Sequence, residues 1–277
     1  MRLRVFRWSP EASAGRFDEF RVEPAPHATV LDALVEVRER EAPDLAFRYA
    51  CRVGMCGSCA VVVNGRERWA CRTRLASLAP QRGIARGAGA RGARDLIVTV
   101  RPLYHFPLIR DLVVDMAPFV GKMRAVGAAF VPPPAGPAEP AGSPGDATGR
   151  AAPPPGRGPA GGVADAVAPI GSDSGERRAI DPAIECIGCG ACVSACTMVR
   201  WNARFPGPAA LNRAFTLLAD SRDGGAADRI EALFGEDGVF RCHGQAQCTA
   251  VCPMELSPTD SILALRRRAA RALFTRA

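Results

Sequence analysis

Lysine is all but missing from this sequence. Lys122 is the only one, so arginine supplies nearly all of the positive charge behind a net +8. A basic chain invites a nucleic-acid reading, but here the arginine comes with abundant Ala, Gly and Pro. That pattern reads as a compositional bias rather than a binding face, and no nucleic-acid partner is expected. The N-terminal stretch "MRLRVFRWSPEASAG" has no apolar segment of the kind a secretory signal carries. No run approaches the ~18 apolar residues of a membrane-spanning helix. Together these absences predict a reducing, cytoplasmic setting in which disulfides do not persist. Paired carboxylates and an activated nucleophile are also missing. One nominal dinucleotide fingerprint exists, Gly87-x-Gly89-x-x-Gly92. It has a loop before it and a strand after it, where the fingerprint needs a strand and then a helix, so it is discounted.

What is plentiful is cysteine. Eleven residues of this type in a chain of 277 are too many for casual core packing, and an odd number argues against a simple disulfide framework. The length favours two domains over one. "LRVFRW" (3–8) and "RFDEFRV" (16–22) alternate like two strands of a hairpin, and "TVLDALVEVRERE" (29–41) has helical spacing behind a Thr29 N-cap. "AVVVNGRERWAC" (60–71) carries Asn64-Gly65, a strong hairpin signal, and "DLIVTVRPL" (95–103) is a further strand. Residues 1–105 are therefore expected to form a small α+β domain. The stretch 107–127 reads as a helix with Leu108, Leu112, Met116 and Phe119 on one face, inside a connecting segment 106–130. Residues 131–175 are dense in Pro, Gly and Ala and lack aromatics, which predicts a flexible linker. Residues 176–277 read as mainly helical. The basic run "RRRAARALFTR" fits a helix end that complements its dipole better than it fits a lipid contact.

The spacing of the cysteines carries the chemistry. Cys51-x4-Cys56-x2-Cys59, with Cys71 beyond the hairpin, has plant-type [2Fe–2S] spacing. Gly54 and Gly57 suit a loop whose backbone N–H groups must wrap sulfide closely. Structural zinc would prefer paired C-x2-C knuckles and leaves the x4 spacing unexplained. "CIGCGACVSAC" gives Cys186-x2-Cys189-x2-Cys192-x3-Cys196, the run in which three cysteines hold one cubane and the fourth reaches another cluster. By that logic Cys186, Cys189, Cys192 and Cys252 hold a [4Fe–4S] cluster, while Cys196 joins Cys242 and Cys248. In "CHGQAQCTAVCP" the remaining ligand position is Gln245, a poor iron ligand, so a [3Fe–4S] cluster is expected there. Four, four and three account for every cysteine, and three centres in one chain imply a one-electron relay.

With these motifs in hand, the sequence resembles the iron–sulfur subunit of succinate dehydrogenase and fumarate reductase (respiratory complex II). The likeness spans roughly 1–125 and 176–265 and includes "PLIRDLVVDM", "GPAALNRAFTLLADSRD", "GVFRCH" and "CPMELSPT". It implies a β-grasp ferredoxin domain followed by an α-helical ferredoxin domain. It also implies an FAD-containing flavoprotein partner, one or more cytochrome b-type membrane-anchor subunits, and quinone as the electron acceptor or donor. The expected place is the cytoplasmic face of the inner membrane, held there by partners. Trp201 and His243 match positions beside the [3Fe–4S] cluster and the quinone in quinone-reactive members; a packed indole and a cluster-tuning imidazole are the alternatives. His27 and His105 are read as structural or solvated. Thr197 stands where many members have Pro, and Arg200 where many have an aromatic residue. A subunit of another flavin dehydrogenase or a heterodisulfide-reductase-like complex would usually carry two complete cubane motifs, which the glutamine at 245 weighs against. A free-standing ferredoxin would not need the large helical domain.

Overall fold

The computed structural model describes residues 1–78, 96–132 and 169–274. The glycine pattern at 87–92, the 79–94 loop and most of the proposed linker, 133–168, lie outside these residues. β1 (Arg2–Arg7) and β2 (Arg16–Arg21) pair antiparallel from Arg2↔Arg21 to Arg7↔Arg16. Their alternation sends Leu3 and Val5 into the core and Arg4 to solvent. α1 (Val30–Arg40) begins at a capping box. The Thr29 hydroxyl accepts from the Asp32 N–H, while the Asp32 carboxylate accepts from the Thr29 N–H at 2.8 Å. Such caps are worth about 1 kcal/mol. Its apolar stripe, including Val30, Leu34 and Val37, is buried in the domain core with Leu3 and Val5.

β3 (Ala60–Val63) and β4 (Arg66–Trp69) meet at Asn64-Gly65, whose φ values of 49° and 79° are those a type I′ turn requires. β5 (Ile97–Arg101) then enters between β1 and β3, parallel to β1 and antiparallel to β3. The resulting order, β2-β1-β5-β3-β4, with one helix in the core beside a mixed sheet, is the β-grasp arrangement.

The helix expected over 107–127 is corrected. β6 (Leu108–Arg110) and β7 (Val113–Val114) form a short hairpin, and α2 (Ala117–Ala125) starts only afterwards, with Pro118 in its first turn. The reason is Asp111, at φ 45° and only 2% exposed. Its Oδ1 accepts from Arg7 Nε at 3.1 Å and Trp8 N at 2.9 Å, and its Oδ2 from Ala46 N at 2.9 Å. A buried carboxylate with three long-range donors holds the chain in a turn, against a helical periodicity that is only a weak prior.

Beyond the linker the chain is helical, as expected: α3 (Gly175–Ile184), α4 (Ala191–Ser194), α5 (Thr197–Trp201), α6 (Pro208–Ala219), α7 (Ala226–Phe234), α8 (Gln247–Ala250) and α9 (Pro258–Phe274). α6 is central, packing against α3 and α9, and Leu211, Leu233, Val239, Ile262 and Leu265 share its core with Val126 from the connector. The two halves are in contact, because Val193 and Ala209 of the helical half belong to the core of the β-grasp half. Arg229 is buried and pairs with Asp223. It also donates to the carbonyls of Gly127 and Ala129, while Asp223 Oδ1 accepts from Val131 N at 2.9 Å. This clasp fixes the connector to the helical half. In the basic run of α9, Arg266 and Arg268 donate to the carbonyls of Cys242 and Leu218, so both serve the fold.

Candidate iron–sulfur centres

The eleven cysteines are all free thiols and fall into three places. The first is the loop between α1 and β3, closed by the residue just past β4. Met55 N–H and Cys56 N–H both donate to Cys51 Sγ at 3.3 Å. The Ser58 hydroxyl and neighbouring backbone groups draw the Cys56 thiol down to about 6. Burial pushes Cys59 up to about 12, with Cys71 and Cys56 close enough to act on it electrostatically. Gly57, at φ 68°, is at the crest of the loop. A Cβ there would stand 2.6 Å from the Cβ of Cys189 in the helical half, which no real side chain tolerates. The backbone thus approaches its neighbour as closely as only glycine allows.

The second place is a pocket lined by Cys186, Cys189, Cys192 and Cys252, with Ile187, Met254 and Leu256 as apolar wall. Gly188 and Gly190, at φ 66° and 80°, turn the "CIGCGAC" run around it. Burial pushes Cys189 up to about 11 and Cys192 well above the ordinary thiol value. Backbone hydrogen bonding from Gly188 and Ala191 pulls the Cys186 and Cys189 thiols back down against that burial. The third place is a separate pocket on whose wall Cys196, Cys242 and Cys248 meet Gln245, Thr259 and Ile262. The Gly244 N–H donates to Cys242 Sγ at 3.5 Å, and Cys248 Sγ lies 3.4 Å from the Thr259 hydroxyl. Thr197 Oγ1 donates to Gln245 Oε1 at 2.7 Å. Lys122 Nζ donates to the carbonyl of Phe205 on the same wall, at 2.7 Å. Burial pulls its pKa down and Cys196 opposes that pull.

These sites suit clusters. Buried thiols have little reason to ionise alone, but iron supplies the compensating positive charge, and N–H groups aimed at sulfur are what cluster ligands receive. Among the described residues no three His, Cys, Asp or Glu side chains gather tightly enough for a single ion. In the second and third places the cysteines surround volume instead of converging on a point.

His243 lines the third cavity and is exposed. Trp201 does not line it. Within this chain it stands 76% exposed on α5, with the Arg200 guanidinium 5.5 Å from its ring. His27 is exposed; burial and nearby Arg200 pull the His105 imidazole below its ordinary pKa. Sequence reasoning missed what joins the halves. Ser194 Oγ on α4 donates to Glu67 Oε1 on β4 at 2.7 Å, and Tyr104 N donates to Ser194 Oγ at 2.9 Å; Ser194 and Glu67 are both buried. A serine between two cysteines and a glutamate in an alternating strand give no sequence signal of being partners.

A family model described as a 2Fe-2S iron-sulfur cluster binding domain matches residues 2–121, and one described as a 4Fe-4S dicluster domain matches residues 182–256. The class is therefore that of multi-centre iron–sulfur electron carriers, with a ferredoxin-type domain in each half. Over 274 residues the chain is 34% identical to a succinate dehydrogenase [ubiquinone] iron-sulfur subunit 2, mitochondrial, of Oryza sativa subsp. japonica, covering 95% of this chain and 73% of that one. It is 31% identical to a fumarate reductase iron-sulfur subunit of Mycobacterium tuberculosis, covering 94% and 89%. Among solved structures it resembles a chain of the Mycobacterium smegmatis Sdh1 complex in the apo form, with TM-score 0.73, 27% identity and coverage of 99% and 96%. The chain belongs to the family of succinate dehydrogenase and fumarate reductase iron–sulfur subunits, and it carries [2Fe–2S], [4Fe–4S] and [3Fe–4S] clusters.

Proposed function

We propose that this chain relays single electrons between the FAD of a flavoprotein subunit and a membrane quinone, as the electron-transfer subunit of a succinate:quinone oxidoreductase. The observation that carries this reading is the segregation of the cysteines, three in a glycine-turned loop with Cys71 just past β4, and seven divided between two separate cavities. In this assignment Cys51, Cys56, Cys59 and Cys71 hold the [2Fe–2S] cluster. Cys186, Cys189, Cys192 and Cys252 hold the [4Fe–4S] cluster, and Cys196, Cys242 and Cys248 the [3Fe–4S] cluster. When bound, these groups supply one-electron carriers at three points along the chain. The protein's own part is to hold them close and dry. Gly57 lets the first loop lie against Cys189, and the apolar walls keep water from the thiolates.

The domain division that goes with this is a β-grasp unit over 1–105, a connector over 106–130, a linker over 131–175 and a helical unit over 176–277. In this reading His243, exposed and lining the third pocket, holds or passes a proton to a quinone oxygen, and the exposed Trp201 indole N–H donates to one. No helix among the described residues is long and apolar enough to cross a membrane. Membrane attachment therefore falls to an anchor subunit, with this chain peripheral on the cytoplasmic face.

Electron paramagnetic resonance of the anaerobically purified complex tests the assignment. A three-iron signal is expected in the oxidised protein and a [2Fe–2S] signal on reduction with succinate. An oxidised sample with full iron content but no three-iron signal overturns the roles given to Cys196, Cys242 and Cys248.

A further inference from the structure

Trp69 ends β4, two residues before Cys71, and its side chain belongs to neither centre by the usual ligand logic. The residue is only 9% exposed. Its ring lies against the first cysteine loop, where a Cβ added at Gly54 would come within 2.9 Å of Trp69 Cζ3. Its Nε1 is buried without a hydrogen-bond partner of ordinary geometry. A buried N–H left unpaired costs about 1–3 kcal/mol, so the group calls for an acceptor. Cys189, across the domain boundary, stands against the same loop, where a Cβ added at Gly57 would come within 2.6 Å of its Cβ, and the indole draws that thiol down against the burial that raises it. A neutral thiol accepts hydrogen bonds weakly, whereas a thiolate bound to iron carries the negative charge that makes such a bond strong. The N–H that is orphaned here is satisfied when Cys189 is a ligand.

We propose that the Trp69 indole N–H donates to the Cys189 thiolate of the loaded protein, so that a residue of the β-grasp domain sets the potential of the centre in the helical domain. Trp69 is then a positioning residue with two faces. Its ring braces the loop of the first centre, and its N–H steadies a ligand of the second. A donor to a ligand sulfur favours the more negative, reduced form of the centre and so raises its potential. The inference rests on the assignment of Cys189 to the [4Fe–4S] cluster.

The test replaces Trp69 with Phe in the intact complex, keeping an aromatic ring and removing the N–H, and follows each centre by redox titration under EPR. The one-electron equilibrium of the [4Fe–4S] centre is expected to shift toward oxidation by about three- to tenfold, tenfold being about 59 mV. The other two centres should hold their potentials. An unmoved [4Fe–4S] potential in a fully loaded Trp69→Phe complex overturns the inference and leaves the ligand assignment standing. Absence of any cubane signal from the unmodified complex brings down the assignment first. Should the variant not load, the unmodified complex with nitrogen-15 indole answers the question. Pulsed EPR of the reduced cubane is expected to show a nitrogen-15 coupling, and none would mean that the bond is not made.

Discussion

Gln245 occupies the place where a fourth cysteine would complete the third centre, and a single hydroxyl holds its amide. Thr197 Oγ1 donates to Gln245 Oε1 at 2.7 Å, linking the start of α5 to the loop before α8. Both residues were legible in the sequence as departures, one from a ligand motif and one from a family pattern, but their meeting was not, since 48 positions separate them. Replacing Gln245 with Cys puts a thiolate in that corner. The expected outcome is loss of the oxidised three-iron signal, gain of a second cubane and a lower potential for that centre. Each tenfold loss in its one-electron equilibrium corresponds to about 59 mV, and quinone reduction should slow accordingly. Unchanged spectra and turnover in Gln245→Cys would remove position 245 from the site. Trp69 is the opposite case at this scale. In the sequence it is an aromatic in a strand, a core residue by default, and only the orphaned N–H distinguishes it from one.

At the scale of elements, periodicity and caps were reliable where the partners are local. The Thr29 cap and the Asn64-Gly65 turn need nothing beyond a few neighbouring residues, and the helices of the second half announce themselves by the periodicity of the apolar face they bury. The stretch 108–114 was misread because its conformation is decided by Arg7, Trp8 and Ala46, which lie 65 to 104 positions away. The contact of β4 with α4 was illegible for the same reason. Glu67 and Ser194 are separated by 127 positions, and neither is unusual in its own element. That bond has a measurable worth. Ser194→Ala leaves the buried Glu67 carboxylate without its donor and is expected to destabilise the folded protein by about 1–3 kcal/mol. Glu67→Leu alone should cost a similar amount, and the double variant less than the sum of the two. Denaturant titration of the loaded chain reads this cycle, and strict additivity would mean that β4 and α4 are held together by packing alone.

The whole molecule is a pair of cluster-bearing halves whose connecting segment begins and ends at one turn. Val131 bonds that turn twice, its N–H donating to the Asp223 side chain at Oδ1, 2.9 Å away, and its carbonyl accepting from Gly224 N at 2.7 Å. On the return, Glu176 accepts from Ser221 N at 2.6 Å. Residues 133–168 are thus bracketed by attachments to the stretch 221–224. A variant in which a Gly/Ser linker of about ten residues, with a root-mean-square span of about 16–19 Å, replaces 133–168 is expected to fold and to show the same EPR signals. Its stability should differ little, because each halving of a loop changes the closure term by only about 0.6 kcal/mol. Loss of any centre in that variant would assign the segment a part in the site. The Arg229–Asp223 clasp has a wider consequence. It moves the join between the halves out of the covalent chain and into the fold, so that a peptide bond cut within 133–168 would leave both pieces docked. The polypeptide then behaves as two partners that happen to be translated together.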